Sequence, residues 1–275
     1  VVAERSGVIQ TGYESAGGVA GWELLEEISP VDMACRAGNL ALKMLDARPA
    51  PVGRMPVVMS SQAGGTMVHE ACGHGLEADL VQKGLSVYGN KLGIQVAAPG
   101  VSVIDDATIP GKYGFLRFDD EGIPGQRTVL IEDGQLVGYM YDRLTAYKDQ
   151  VESTGNGRRE SYQHKPIPRM TNTFIAAGKD DPEEIIKSTP YGLLVKKMGG
   201  GQVNTTNGDF VFEVQEGYLI ENGEIKAPVR GATLTGNGPQ VLASIDRVGR
   251  DLGYAIGTCG KDGQGVPVAD AQPHI

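Results

Sequence analysis

Two stretches of this 275-residue chain, VLIEDGQLVGYMY (129–141) and GYLIENGEIKAPV (217–229), each place Asp-Gly or Asn-Gly between apolar runs. Such pairs accept positive φ at both central turn positions, which matches the twist of two antiparallel strands joined by a tight turn. The chain is thereby directed toward antiparallel β-structure over much of its length. LIEDGQLVG and LIENGEIKA resemble one another, although two hairpins of one turn type arise by chance without duplication. Helices are fewer. Ser29 can cap a helix with Pro30 at its first position, and apolar residues from Met33 to Leu45, Cys35 among them, recur at helical spacing until Pro49 and Pro51 forbid continuation. Further helices are expected over Asp181–Ser188 and Gly238–Leu252. No shift in composition marks a linker, so the expected architecture is one α+β domain: a large, twisted, mostly antiparallel sheet or open barrel with flanking helices.

Composition excludes several classes of function. Gly and Pro make up a fifth of the residues, below the level of a low-complexity chain. The net charge of −9 lacks the basic footprint that neutralises phosphates, so no direct nucleic-acid ligand is expected. Nothing approaches 18 consecutive apolar residues, so no membrane partner is expected either. Three cysteines at scattered spacings suit a reducing compartment better than a disulfide framework, which points to the cytoplasm.

The chemistry concentrates after a short buried strand, PVVMS (56–60). There SQAGG opens into a helix carrying His69-Glu70-Ala71-Cys72-Gly73-His74. In the usual zinc-peptidase helix the two histidines are four apart and share a face, with a glutamate beside the first as general base. Here they are five apart, and at about 100° per residue the second ring would point roughly 140° away from the first. The helix must therefore deform. A π-turn adds the required residue, and Gly73 lowers the cost of the deformation between Cys72 and His74. Glu77 or Asp79 can orient a metal-bound imidazole. A catalytic zinc needs a third protein ligand, and His164, His274, the three cysteines and any acid qualify by chemistry. Cys35 and Cys72 read as small core residues. Cys259 lies in GTCGKDGQGVPV, a glycine-rich loop where no core face needs a thiol. The long polar segment TGNGRRESYQHKPIPRMTNT (154–173) is expected to form a rim of the site, and GGGQVNTT (199–206) a sheet edge beside it.

Together GGTMVHEACGHGLEAD, DDEGIPGQRTVLIEDG, STGNGRRESYQHKPIPRMTNT and IGTCGKDGQGVPVADAQP resemble the TldD/PmbA family of metallopeptidases, on the side of its metal-bearing subunit. The likeness runs over essentially the whole chain. It implies Zn2+ held by His69, His74 and Cys259, with Glu70 as base. It also implies a TldE/PmbA-like partner subunit and a site that admits unfolded or short peptides, including leader peptides to be trimmed. Members carry a further amino-terminal domain, so residues 1–275 are expected to be the single carboxy-terminal metallopeptidase domain with that domain absent. The alternatives are a catalytically silent subunit that keeps its metal for structure, and a protein-binding regulator of the gyrase-modulator type. A weaker likeness, to dipeptidyl peptidase III, extends only to the histidine helix.

Overall fold

Both expected hairpins turn at the pairs that signal them. In a computed structural model describing residues 1–275, Asp133-Gly134 and Asn222-Gly223 have positive φ throughout (47°, 80°, 53° and 74°). The first pair joins β6 (Arg127–Glu132) to β7 (Gln135–Leu136), and the second joins β12 (Asp209–Glu221) to β13 (Glu224–Arg230). The same chemistry recurs at Asp262-Gly263 (50° and 72°), between β15 (Gly253–Lys261) and β16 (Gln264–Gln272). Cys259 therefore sits on a strand, not in the glycine-rich loop expected, because the Asp-Gly in KDGQ makes the turn of a hairpin.

The α+β architecture with open, mostly antiparallel sheets is present, its long strands divided between two sheets. One runs β15, β16, β10 (Thr173–Ile175), β5 (Val103–Asp106), β6, β7. The other runs β3 (Arg48–Pro49), β13, β12, β11 (Tyr191–Asn204), β4 (Val57–Met59), with β14 (Thr233–Asn237) also on β12. Only the β10–β16, β11–β4 and β13–β3 pairings in these sheets are parallel. Two small ribbons complete the strands, β1 (Val2–Arg5) with β2 (Val8–Thr11), and β8 (Gly157–Arg158) with β9 (Ile167–Pro168). The main apolar core lies between the sheets. Met67, Val68, Ala71, Cys72 and Leu76 of the histidine segment share it with Val195, Met198 and Phe212 of one sheet and Ile131, Val266 and Val268 of the other. The motif is thus wedged where both sheets brace it, which is where a deformed helical turn can be held in shape.

Helices are short except one. After α1 (Leu24–Glu27) comes α2 (Pro30–Leu45), where Ser29 accepts from the Asp32 N–H and Ala37, Leu40, Ala41, Met44 and Leu45 are buried. Cys35 is exposed, contrary to the core reading, because the buried face begins only at Ala37. Next come α3 (Thr66–Val68), α4 (Ala78–Gln82) and α5 (Arg143–Asp149). α6 (Pro182–Lys187), capped by Asp181, matches expectation. α7 (Gly238–Ala243) ends well before the expected Leu252. The segment that follows has the Val248 N–H bound to the Asp180 carboxylate instead of continuing the helix.

Candidate metal centre

The five-residue spacing resolves as the sequence requires. Between α3 and a 3-10 turn at His74–Leu76, residues His69–Gly73 form a π-turn in which the His74 N–H donates to the His69 carbonyl, five residues back. The added residue brings the imidazoles together, ring centroids 4.9 Å apart and nearly perpendicular at 87°. Tyr88 closes the widened turn by donating its hydroxyl to the Ala71 carbonyl (2.8 Å). Gly73 serves differently from expectation. Its φ of −50° is ordinary helix, so no conformational freedom is used. A Cβ there would stand 2.2 Å from the Met170 Sδ, so the glycine allows close packing.

Cys259 reaches the histidines from β15, its Sγ 3.5 Å from the His74 Nε2. The ligand atoms of His69, His74 and Cys259 all lie within 4.8 Å of one another, and all three residues are buried. A tetrahedral site with Zn–S of about 2.3 Å and Zn–N of about 2.05 Å needs roughly 3.5 Å between sulfur and nitrogen. The spacing of Cys259 and His74 equals that. A thiolate with two imidazoles is the donor set of zinc, not of magnesium or calcium, and three protein ligands leave a fourth position open.

Each imidazole is oriented from behind. The His74 Nδ1 lies 3.0 Å from the Glu77 Oε2, so Glu77 takes the orienting role expected of Glu77 or Asp79. Asp79, also buried, instead pairs with Lys261. The His69 Nδ1 lies 3.0 Å from the Asp270 Oδ2 but off the hydrogen-bonding line, and the Asp270 Oδ1 is buried without a partner. That pair is incompletely satisfied by protein atoms alone. Asp270 was not anticipated; an acid inside the apolar run VPVADA was the signal available for it.

The electrostatics follow from this crowding. Burial opposes charge on both histidines, yet Asp270 and Cys259 raise His69 well above its usual range, and Glu77 with Cys259 raises His74 to about 9. Burial pushes the Cys259 thiol up, but the two imidazoles outweigh it and bring the value down to about 5. Glu77, despite complete burial, falls to about 2 beside His74 and Lys261. Glu70 is raised, first by burial, with the imidazoles pulling the other way.

Glu70 opens into a cleft of about 870 Å3 that is also lined by His69, His74, Cys259 and Asp270. Gly199, Gly200 and Gly201 of β11 also line it, as do Tyr13 and Ser15. The other candidate ligands are elsewhere. His164 binds the Ser161 hydroxyl (2.9 Å), His274 pairs with Asp251 (2.7 Å), and Cys72 donates to the Val68 carbonyl (3.4 Å). The segment 154–173 is not a rim: none of it lines the cleft, and Asn156, Arg158, Arg169, Thr171, Asn172 and Thr173 are buried, Arg169 against the Cys259 carbonyl.

Residues 52–275 match a family model described as the PmbA/TldA metallopeptidase C-terminal domain. A metalloprotease TldD homolog from Haemophilus influenzae is 45% identical over 100% of this chain and 58% of its own length. A metalloprotease from Methanocaldococcus jannaschii is 44% identical over 98% of this chain and 59% of its own. Among solved structures, a Thermotoga maritima protein described as a candidate modulator of a DNA gyrase superposes with a TM-score of 0.73 at 29% identity, over 90% of this chain and 56% of that one. TldE from Thermococcus kodakarensis gives 0.74 at 22% identity, over 100% of this chain and 60% of that one, a likeness of fold alone. The chain spans a little under three fifths of the length of these two curated relatives.

Proposed function

We propose that this chain, which belongs to the TldD/PmbA family, hydrolyses peptide bonds with a zinc ion held by His69, His74 and Cys259 and with Glu70 as general base, residues 1–275 acting as one metallopeptidase domain. The observation that carries this reading is the assembly of two imidazoles and a thiol, from opposite ends of the chain, at the wall of a cleft. A zinc ion bound by such a set supplies a Lewis acid that acidifies water to a pKa near about 7 and polarises a carbonyl. The remaining steps belong to the chain. Glu70, beside His69 and open to the cleft, accepts a proton from the attacking water at its carboxylate and returns it to the leaving amine. Its raised pKa brings it toward the range in which a base both accepts and gives up a proton near neutrality.

The glycine wall suggests how substrate lies. β11 pairs with β12 along its length, but with β4 only at Leu193–Val195. Beyond Val195 its other edge faces the cleft, and an extended peptide added there gains backbone hydrogen bonds with little sequence preference. Side chains are kept off part of that wall by packing, since a Cβ at Gly201 would stand 2.3 Å from the Phe212 ring. A folded protein cannot present such a strand. The proposed substrates are therefore short or unfolded peptides, including leader segments, and a TldE/PmbA-like subunit is the proposed partner that completes the enclosure. No helix is long and apolar enough to cross a membrane, and the three free cysteines support a cytoplasmic setting.

Casein or a short peptide is expected to be cut, and a stable globular protein left intact. Chelator should abolish activity, and a TldE-like subunit should raise it. Internal cleavage of a native globular protein without the partner would contradict the recessed site, while activity indifferent to chelator would contradict the metallopeptidase.

A pH dependence follows from the same charges. With both imidazoles raised and the thiol lowered, zinc must displace protons from His69 and His74 to bind. Apparent zinc affinity is expected to rise by between one and two powers of ten per pH unit from about pH 7 to about 9. Chelator-competition titrations across that range read it, and a flat profile would refute it.

A further inference from the structure

The segment 168–170, behind the site, touches both of its halves. Arg169 is completely buried, yet its hydrogen bonds go only to backbone carbonyls, of Cys259 (2.5 Å) and of Gln264 (3.3 Å), while its Nε has no partner. Removing a guanidinium from water is costly unless nearby anions offset it. Here the buried Glu77 carboxylate contributes to that offset. On one side of Arg169, the Pro168 carbonyl accepts from the Lys261 ammonium (2.9 Å). On the other, the Met170 sulfur fills the space that Gly73 leaves open in the π-turn.

Lys261 makes the second link. It follows Cys259 by two positions on β15, so both side chains leave the same face of the strand. Its buried ammonium lies 3.1 Å from the Glu77 Oε2 and 2.6 Å from the Asp79 Oδ1. That same Glu77 oxygen lies 3.0 Å from the His74 Nδ1. A continuous path therefore runs from the Cys259 strand through Lys261 and Glu77 to His74, while Arg169 holds the Cys259 backbone from behind.

We infer that Arg169 and Lys261 are positioning residues that clamp the Cys259 strand to the turn bearing the histidines, setting the thiolate at ligand distance before metal arrives. The inference rests on the zinc reading above and adds to it the residues that preorganise the third ligand. Without the clamp, β15 would still pair with β16, but its distance from His74 would depend on apolar packing alone. Ordinary core stapling makes a different prediction. Removing one partner of a buried ion pair costs stability because the other charge is left uncompensated, so a purely structural Lys261 would lower the melting temperature of Lys261→Met while leaving its metal affinity and cobalt spectrum unchanged.

The test uses the full chain, with zinc and cobalt(II) as probes. Wild-type stoichiometry is measured first; failure to bind either metal would overturn the zinc reading itself, before any variant is made. Lys261→Met is expected to keep its circular dichroism and cooperative melt, to bind zinc about 10–100-fold more weakly, and to show a displaced or weakened thiolate-to-cobalt charge-transfer band. Lys261→Arg should restore most of both. If Lys261→Met binds zinc as tightly as wild type and its cobalt spectrum superposes, the clamp is refuted. Should Lys261→Met not fold, Arg169→Lys, which keeps the charge but cannot span both carbonyls, decides the matter: a displaced cobalt band supports the clamp and an unchanged one overturns it.

Discussion

Cys259→Ser is expected to lower zinc from near one equivalent per chain to a small fraction of it, with peptidase activity falling in parallel. Serine is nearly isosteric, so β15 and its pairing with β16 should survive. The loss is in donor chemistry. The thiol, drawn down to about 5 by the two imidazoles, is a thiolate at neutral pH, whereas an alcohol stays protonated and is a poor zinc ligand. Because a group that merely orients a ligand costs about 10–100-fold in affinity when removed, loss of the ligand itself should cost more. Rescue from within the site is not available to Cys72: it is wholly buried, bonded to the Val68 carbonyl, and pushed up to about 12 by burial. Metal analysis of the purified variant after exhaustive dialysis reads the outcome, and full occupancy would show that Cys259 is not the third ligand.

Glu70→Gln is expected to retain zinc at wild-type stoichiometry and to lose about 10²–10⁴-fold in kcat, the usual worth of a positioned general base. Glutamine keeps the shape of the side chain in the cleft but cannot accept the water proton. Glu70 is not among the grouped ligand atoms, so the metal should be undisturbed. This variant separates the three readings open at the level of sequence. An enzyme loses turnover and keeps its metal; a silent metal-bearing subunit shows no turnover to lose; and a protein-binding regulator keeps its partner through both this substitution and chelation. Unchanged turnover in Glu70→Gln would remove Glu70 from the mechanism.

Local rules were legible wherever the determinants are neighbours in the chain. Asp133-Gly134 and Asn222-Gly223 turn as read because their φ preferences are properties of the residues themselves. The helix at Pro30 starts on its Ser29 cap for a similar reason. The π-turn was legible because a spacing of five is incompatible with a shared face on a regular helix, and the chain adopts the one-residue correction. Where the reading went astray, the deciding contact was remote. Cys35 has helical spacing but no element covers its face, and the two ends of the segment 154–173 are polar because Asn156, Thr171 and Thr173 carry a buried hydrogen-bonded network on Asp105, while only its middle meets solvent.

By itself the sequence determined the turns, the α+β character, and a pair of histidines that must share a deformed turn with a glutamate between them. Tertiary structure alone decided what completes that pair. Cys259 lies 185 residues from His74 and on a strand of different parentage. Their 3.5 Å approach depends on the β15–β16 register, on the packing of the turn between two sheets, and on Arg169 and Lys261 reaching across. Asp270 meets His69 through the same register, two positions from Val268 in the core. Periodicity and turn chemistry act over a few residues, where the backbone's own sterics dominate. A metal site assembled from both ends of a chain is specified only by how the sheets close on one another.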